Sequence, residues 1–171
     1  LGKYKNRVII PSYDCNGKLN YFVARAIYDD MKPSYDAPSC KKTELIGFEY
    51  FINWNVPVIL CEGAFDAIAI KRNAIPLFGK TIPKSLMIKL AQSEVKTVYL
   101  ALDKDAIKES YNYAEELINM GKEVYTIDLE DKDPSKLGFE KMVEILQKAS
   151  PIDFQELFIK KMKMIIYDNI H

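Results

Sequence analysis

The first third of the chain consists of short apolar, β-prone runs separated by polar turns. The run that begins at Arg7 ends at Pro11, and proline closes strands that it cannot extend by hydrogen bonding. Asn16 and Gly17 lie between two such runs, which predicts a hairpin with a tight turn. The pattern predicts strands at 7–11 and 19–27, a loop at 29–42 and a short helix at 48–54.

From residue 56 onward, continuous apolar runs alternate with segments of helical spacing. An unbroken run such as Val56 to Cys61 is typical of a strand that is buried on both faces. Alternation of this kind predicts right-handed βαβ units and a parallel sheet. The predicted strands lie at 56–61, 75–78, 97–102 and 123–127, and the predicted helices at 64–72, 83–91 and 106–120.

The last part of the chain changes pattern again. Two helical segments, 138–149 and 152–166, follow each other with Pro151 between them and no strand. We therefore expect an α/β protein in three parts: a small β-rich segment at 1–54, a Rossmann-like four-stranded parallel sheet with flanking helices at 55–137, and a C-terminal helical element at 138–171.

Composition narrows the possible functions. The 171 residues carry 24 basic and 24 acidic side chains, and 49% are hydrophobic, as in an ordinary globular protein. No apolar run approaches the roughly 20 residues of a membrane helix, so no membrane partner is expected. The chain starts without a leader segment or an initiator Met, so we expect a fragment or a processed form.

The cysteines and the histidine limit the possible chemistry. Cys15, Cys40 and Cys61 are widely spaced, and His171 is the single histidine of the sequence. These positions argue against a zinc site and against catalysis that depends on histidine.

Acidic residues follow the predicted strands of the parallel sheet. Because ligands of open α/β sheets bind outside the carboxyl ends of the strands, we expect these acids to meet at one edge. Oxygen ligands without His or Cys suit Mg²⁺ or Mn²⁺. The acids are Glu62 after the first strand, Asp103 and Asp105 after the third, and Asp128, Glu130, Asp131 and Asp133 after the fourth.

Each of these acids also has an ordinary structural explanation. A single acid at a strand end usually caps a helix or lies in a solvated loop, and Asp105 and Asp128 fit that explanation. Glu62 is the strongest candidate, because an apolar strand runs directly into Glu62-Gly63. Gly63 lets the chain turn sharply at that point.

Two motifs at the right strand ends resemble the TOPRIM domain of bacterial-type primases, topoisomerases and some nucleases. The first is Glu62-Gly63 with Asp66 in the following helical turn, and the second is Asp103-Lys104-Asp105. Lys132-Asp133-Pro134 resembles a further acidic element of that domain. Each motif alone is weak evidence for this domain. The two motifs together, in this order and separated by two βα units, are fairly specific evidence for it.

The flanking sequence is similar to bacterial and phage DNA primases in particular. There, an RVxFP-type strand is followed by a turn, an Arg, a PKYxNSP-like loop, a Lys and a Gly, and the TOPRIM domain leads into a helical subdomain. The matching positions are 7–11, 14–17, Arg25, 33–38, Lys41, Gly47 and 138–154.

The resemblance implies a role for individual residues. Glu62, Asp103 and Asp105 would be the catalytic acids and would bind Mg²⁺ or Mn²⁺. Asp133 would join them as a metal ligand, and Asp66 would be a supporting acid. The nucleotide or template would be bound by basic residues of the N-terminal part, namely Arg7, Arg25, Lys32 and Lys41, with Lys32 near the position of the missing PKY lysine.

The resemblance thus implies a nucleotidyltransferase that makes short RNA primers on single-stranded DNA from NTPs during replication. Its partners would include a replicative helicase or other primase domains, and its location would be the cytoplasm of a bacterial cell or a phage-infected host. One alternative is a TOPRIM nuclease or other phosphodiesterase. Another is a degenerate primase-like module that binds a replication partner, because Ala106, Ile107 and Ser135 depart from the primase pattern.

Overall fold

The computed structural model of the chain describes residues 2–129 and 132–170, with side chains described as far as residue 166. Glu130, Asp131 and His171, which were named above, lie outside the described residues. The strands are β1 (Arg7–Tyr13), β2 (Leu19–Ala26), β3 (Tyr35–Asp36), β4 (Val58–Cys61), β5 (Ala74–Pro76), β6 (Thr97–Ala101) and β7 (Glu123–Thr126). The helices are α1 (Ala64–Ile70), α2 (Lys84–Gln92), α3 (Ile107–Asn119), α4 (Pro134–Lys148) and α5 (Phe154–Ile170).

The predicted hairpin is confirmed, and its turn is held by one side chain. β1 and β2 pair antiparallel, with Asp14 at the start of the connection. The Asp14 carboxylate accepts hydrogen bonds from the backbone N–H groups of Asn16 and Lys18, both at 2.9 Å. Gly17 has φ 76°, a left-handed conformation that glycine adopts at little cost.

Three details of the N-terminal prediction were wrong. β1 does not end at Pro11 but continues to Tyr13. β1 is the edge strand of a sheet with the order β1-β2-β3, where a proline is tolerated because no further strand needs its missing N–H. The predicted loop 29–42 contains β3, which pairs with Ala24 and Arg25 of β2. The predicted short helix is a single 3₁₀ turn, Glu49–Phe51.

The predicted parallel sheet is confirmed, and all its strands lie within two residues of the expected bounds. Its order is β5-β4-β6-β7, and each neighbouring pair is parallel. Every residue of β4 is buried, because helices cover both faces. Val58 and Leu60 pack among side chains of α2, α3 and α5, whereas Ile59 and Cys61 pack among those of α1 and α4.

The N-terminal sheet packs against the carboxyl edge of the parallel sheet. Tyr21 of β2 and Phe78, which follows β5, have ring centroids 4.7 Å apart. Together with Leu45 and Ala64 they form a small buried cluster. Gly47 lies so close to the chain after β5 that a Cβ there would come within 2.1 Å of the Pro76 carbonyl oxygen. This close packing fixes the N-terminal sheet above the strand ends that carry the acids.

The two C-terminal helices are also confirmed, although the first begins earlier than predicted. α4 starts at Pro134, a residue that favours the first turn of a helix, and is interrupted at Gly138 (φ 77°). α5 packs on α3 through the buried Leu157, and its other side exposes Phe158 and Ile165. None of the described helices combines the length and hydropathy needed to cross a membrane. The expected part boundaries at residues 54 and 137 stay a prediction.

Candidate metal centre

The site lies where the strand connections of the parallel sheet diverge. From β4 the chain passes through α1 to β5 on one side, whereas from β6 it passes through α3 to β7 on the other. This divergence opens a crevice between the carboxyl ends of β4 and β6, the usual ligand position of such sheets. Glu62 directly follows the last residue of β4. Asp103 follows the last residue of β6 with Leu102 between them. The Glu62 Oε1 atom accepts a hydrogen bond from the Asp103 backbone N–H at 3.1 Å, which ties the two strand ends together.

Three carboxylates converge in this crevice. One carboxylate oxygen from each of Glu62, Asp103 and Asp105 lies within 4.8 Å of the others. A 3₁₀ turn, Lys104–Ala106, closes directly after Asp103, and the buried Ala106 anchors it. This turn returns Asp105 to the sheet edge. An all-oxygen donor set of this kind fits a hard divalent cation such as Mg²⁺ or Mn²⁺. The prediction that these three acids meet is confirmed by their positions.

The electrostatics of the cluster favour a bound cation. Burial, and after it the charge of Asp103, raises the pKa of Glu62 above its usual range. Burial, and after it the charges of Asp133, Asp66 and Asp105, raises the pKa of Asp103. A raised carboxyl pKa means that the ionised form is destabilised where it stands. A divalent cation bound among these oxygens would stabilise their ionised forms.

The two further acids that the TOPRIM resemblance assigned to the site, Asp66 and Asp133, occupy different positions. Asp66 accepts a hydrogen bond from the Gly63 N–H at 3.0 Å with one oxygen and from the Ser135 N–H at 3.1 Å with the other. It therefore fastens the Glu62-Gly63 turn to the start of α4. Asp133 pairs with Lys136 at 2.7 Å and lies beside Asp103, outside the three-carboxylate cluster.

The predicted basic residues lie in the N-terminal part, at varying distance from the acids. Arg7 is half-buried and donates a hydrogen bond to the Ala24 carbonyl oxygen at 3.2 Å. The Arg25 guanidinium stacks on the Tyr35 ring, 4.4 Å from its centroid. Lys32 and Lys41 are exposed. Their proposed roles in binding nucleotide or template stay predictions.

Two lysines near the acids were missed by the sequence analysis. Lys42 donates a hydrogen bond to the Phe78 carbonyl oxygen at 2.6 Å and lines the same cavity as Glu62. Lys80, in the loop after β5, forms an ion pair with Asp105. The position of Lys80 had a signal in the sequence, because it follows a strand whose carboxyl end lies at the same sheet edge. Lys42 had none beyond its closeness to Lys41.

Two cavities meet at the acidic cluster. The first, of about 460 Å³, lies between the N-terminal sheet and the parallel sheet. It combines acids with Lys42 and the aromatic rings of Tyr35 and Phe65. The second, of about 370 Å³, extends past Asp105 toward α5. Asp103 and Asp133 line both cavities.

Comparisons with known proteins agree with this geometry. No protein-family model matches the chain. The chain is 28% identical over 172 aligned residues to the DNA primase of Clostridium acetobutylicum, in an alignment that covers 90% of this chain. It superposes on the zinc-binding and RNA polymerase domains of Aquifex aeolicus primase with a TM-score of 0.71 and 26% identity, covering 87% of this chain and 41% of that one. The chain is similar in sequence and in fold to bacterial DNA primases.

The fold of the primase catalytic core is shared over nearly the whole chain. A primase catalytic domain of the DnaG type, solved with single-stranded DNA, superposes with a TM-score of 0.75 and 18% identity, covering 92% of this chain and 55% of that one. The fold class expected from the sequence, including its TOPRIM-type sheet, is thereby confirmed. The chain spans only 28% of the length of the Clostridium primase.

Proposed function

We propose that this chain is the catalytic core of a DNA primase, which makes short RNA primers on single-stranded DNA in a metal-dependent reaction. The observation that carries the proposal is the convergence of Glu62, Asp103 and Asp105 at the strand-order switch of a primase-like fold. The acids come from two strand ends separated by about forty residues of sequence, and their chemistry matches the reaction.

The residues present fit the metal that such a reaction needs. Glu62, Asp103 and Asp105 would hold Mg²⁺ or Mn²⁺, with Asp133 nearby. A bound divalent cation would neutralise the triphosphate and stabilise the charge that develops as a 3′-hydroxyl attacks the α-phosphate and pyrophosphate leaves. Asp66 holds the Glu62-Gly63 turn in place through its two backbone hydrogen bonds.

The substrates are proposed from the site and from the related proteins. NTPs fit the cavity of about 460 Å³, where Lys42 supplies a cation and Tyr35 and Phe65 supply aromatic surface beside the acids. Single-stranded DNA is proposed as template because a related DnaG catalytic domain was solved with it. Arg7, Arg25, Lys32 and Lys41 are proposed to bind phosphates of the nucleotide or the template.

The proposal extends to the cellular setting. The partners would be a replicative helicase or other primase domains, and the site of action would be the cytoplasm of a bacterial cell or a phage-infected host. The similarity to bacterial primases supports this setting.

A primer-synthesis assay tests the proposal directly. The chain is incubated with mixed-sequence single-stranded DNA, labelled NTPs and Mg²⁺ or Mn²⁺, and the products are separated by length. Asp103→Asn removes one metal ligand, and Asp30→Asn at an exposed loop position is the charge-matched control. We expect short RNA products from the wild type and the control but not from Asp103→Asn. Products that persist in Asp103→Asn and in Glu62→Gln would refute the assigned mechanism, and DNA cleavage without NTP incorporation would favour a phosphodiesterase.

A further inference from the structure

The loop after β5 places a lysine against the acidic cluster. Lys80 forms an ion pair with Asp105, which lies 25 positions further along the chain. The loop is tied to the neighbouring strand by two backbone hydrogen bonds, from Leu77 N–H to the Cys61 carbonyl oxygen at 2.8 Å and from Gly79 N–H to that of Glu62 at 3.3 Å. The lysine is therefore held beside Glu62 by the backbone.

The charge of Lys80 acts on all three carboxylates. The hydrogen bond with Asp105 raises the pKa of Lys80, and the charges of Asp105, Glu62 and Asp103 raise it further. In return, Lys80 lowers the pKa of Glu62 and of Asp103 against the stronger effects of burial and acidic neighbours. The side chain is 47% exposed, so its ammonium can leave Asp105 without being buried elsewhere.

We infer that Lys80 is the resident counter-ion of the metal-free cluster and couples metal binding to nucleotide binding. This inference rests on the proposed function. A divalent cation must compete with the ammonium of Lys80 for Asp105 and bind against its charge, so Lys80 weakens binding of the metal alone. Once released, the ammonium lies at the edge of the crevice, where a triphosphate supplies new anionic partners. Metal and nucleotide therefore strengthen each other's binding.

If Lys80 has this role, removing its charge should have opposite effects on the binding of the metal and on the binding of the nucleotide. Lys80→Met keeps the length of the side chain and removes its charge. We expect it to tighten binding of Mn²⁺ alone about three- to tenfold, since a unit charge a few ångströms from a divalent ion contributes on that order. We expect the same variant to weaken binding of an α,β-methylene analogue of ATP, measured in saturating Mn²⁺, by a similar factor. Lys80→Arg keeps the charge and should behave as the wild type does.

The measurements are isothermal titration calorimetry for both ligands and electron paramagnetic resonance of free Mn²⁺. Lys84→Met, at an exposed lysine of the first turn of α2, is the matched control and should change neither affinity. If wild type binds Mn²⁺ and Lys80→Met binds it no more tightly, the counter-ion role is refuted while the proposed function stands. If Mn²⁺ binds more tightly but the nucleotide analogue binds equally well, the coupling is refuted. A wild type that binds no Mn²⁺ would refute the metal centre and this role together.

Discussion

Neutralising one acid of the cluster should stabilise the metal-free protein. Asp103→Asn keeps the backbone N–H that donates to Glu62, so the bond between the two strand ends survives. The substitution removes the negative charge that burial and the neighbouring acids Asp133, Asp66 and Asp105 destabilise. What changes is therefore mainly electrostatic repulsion.

The separation of the carboxylates sets the magnitude. Two unit charges 4.8 Å apart repel by about 0.9 kcal/mol in bulk water and by about 3.5 kcal/mol at the effective dielectric of a protein surface. Because Glu62 and Asp103 are only partly buried, solvent screening keeps the repulsion near the lower value, and the lost attraction to Lys80 reduces the gain further. We expect Asp103→Asn to stabilise the metal-free chain by about 1 kcal/mol, which is about 3 °C in Tm for a domain of this size.

Thermal unfolding followed by circular dichroism in EDTA measures this gain. Added Mn²⁺ should raise the Tm of the wild type and of the Asp30→Asn control. It should raise the Tm of Asp103→Asn much less.

The dependence of stability on pH also has a definite sign. Because the pKa values of Glu62 and Asp103 are raised in the folded state, stability of the metal-free wild type falls as pH rises above their usual values of 4.5 and 3.8. The advantage of Asp103→Asn should therefore vanish at low pH. A variant that is less stable in EDTA yet gains as much from Mn²⁺ as the wild type would refute the reasoning.

Three further predictions concern the surroundings of the site. Gly47→Ala should destabilise the chain by about 3 kcal/mol or more in urea unfolding, because its Cβ would meet the Pro76 carbonyl oxygen at 2.1 Å; a small change would mean that the two sheets separate easily. Asp66→Ala should cost about 1–3 kcal/mol by the same method, since two backbone N–H groups lose their acceptor, and unchanged stability would contradict its fastening role. Burial alone would raise the pKa of Asp36. The hydrogen bond from Lys3, together with the Ala37 N–H and the charges of Lys3 and Arg7, outweighs burial and lowers the pKa. Asp36→Asn should therefore be less stable than the wild type at neutral pH, and the difference in Tm should disappear as pH falls below 3.8. A difference in Tm that persists in acid would show that the ion pair with Lys3 does not stabilise the fold.

Most of the fold followed from the sequence because burial on both faces leaves a strong pattern. β4 is apolar over its whole length and β6 is apolar after Thr97, and the acids that follow these strands are conspicuous for that reason. Strand ends of a parallel sheet share an edge, so the meeting of Glu62 and Asp103 could be expected without knowing the strand order. The N-terminal part was harder. Whether Pro11 ends a strand depends on whether that strand lies at a sheet edge, which local sequence does not encode.

The position of Lys42 was beyond local sequence for a similar reason, whereas Lys80 follows a strand whose carboxyl end lies at the site. The course of the segment that carries Lys42 is set by packing of one sheet against the other. Lys42 is the first residue of a short turn and lines the cavity, whereas Lys41, the extended residue before it, does not. A choice between two adjacent lysines therefore depends on the position of a 3₁₀ turn, Lys42–Glu44, that no periodicity predicts.

The hydrogen bonds around the cluster explain how three acids stay together without a cation. The Asp103 N–H binds Glu62, the Gly63 and Ser135 N–H groups bind Asp66, and Lys80 binds Asp105. The first three donors are backbone groups whose positions the strands and helices fix, so no substitution of a side chain removes them. The fourth is a half-exposed side chain. The chain thus holds its acids with backbone donors and with one side-chain partner, and that partner is the group a divalent cation would displace.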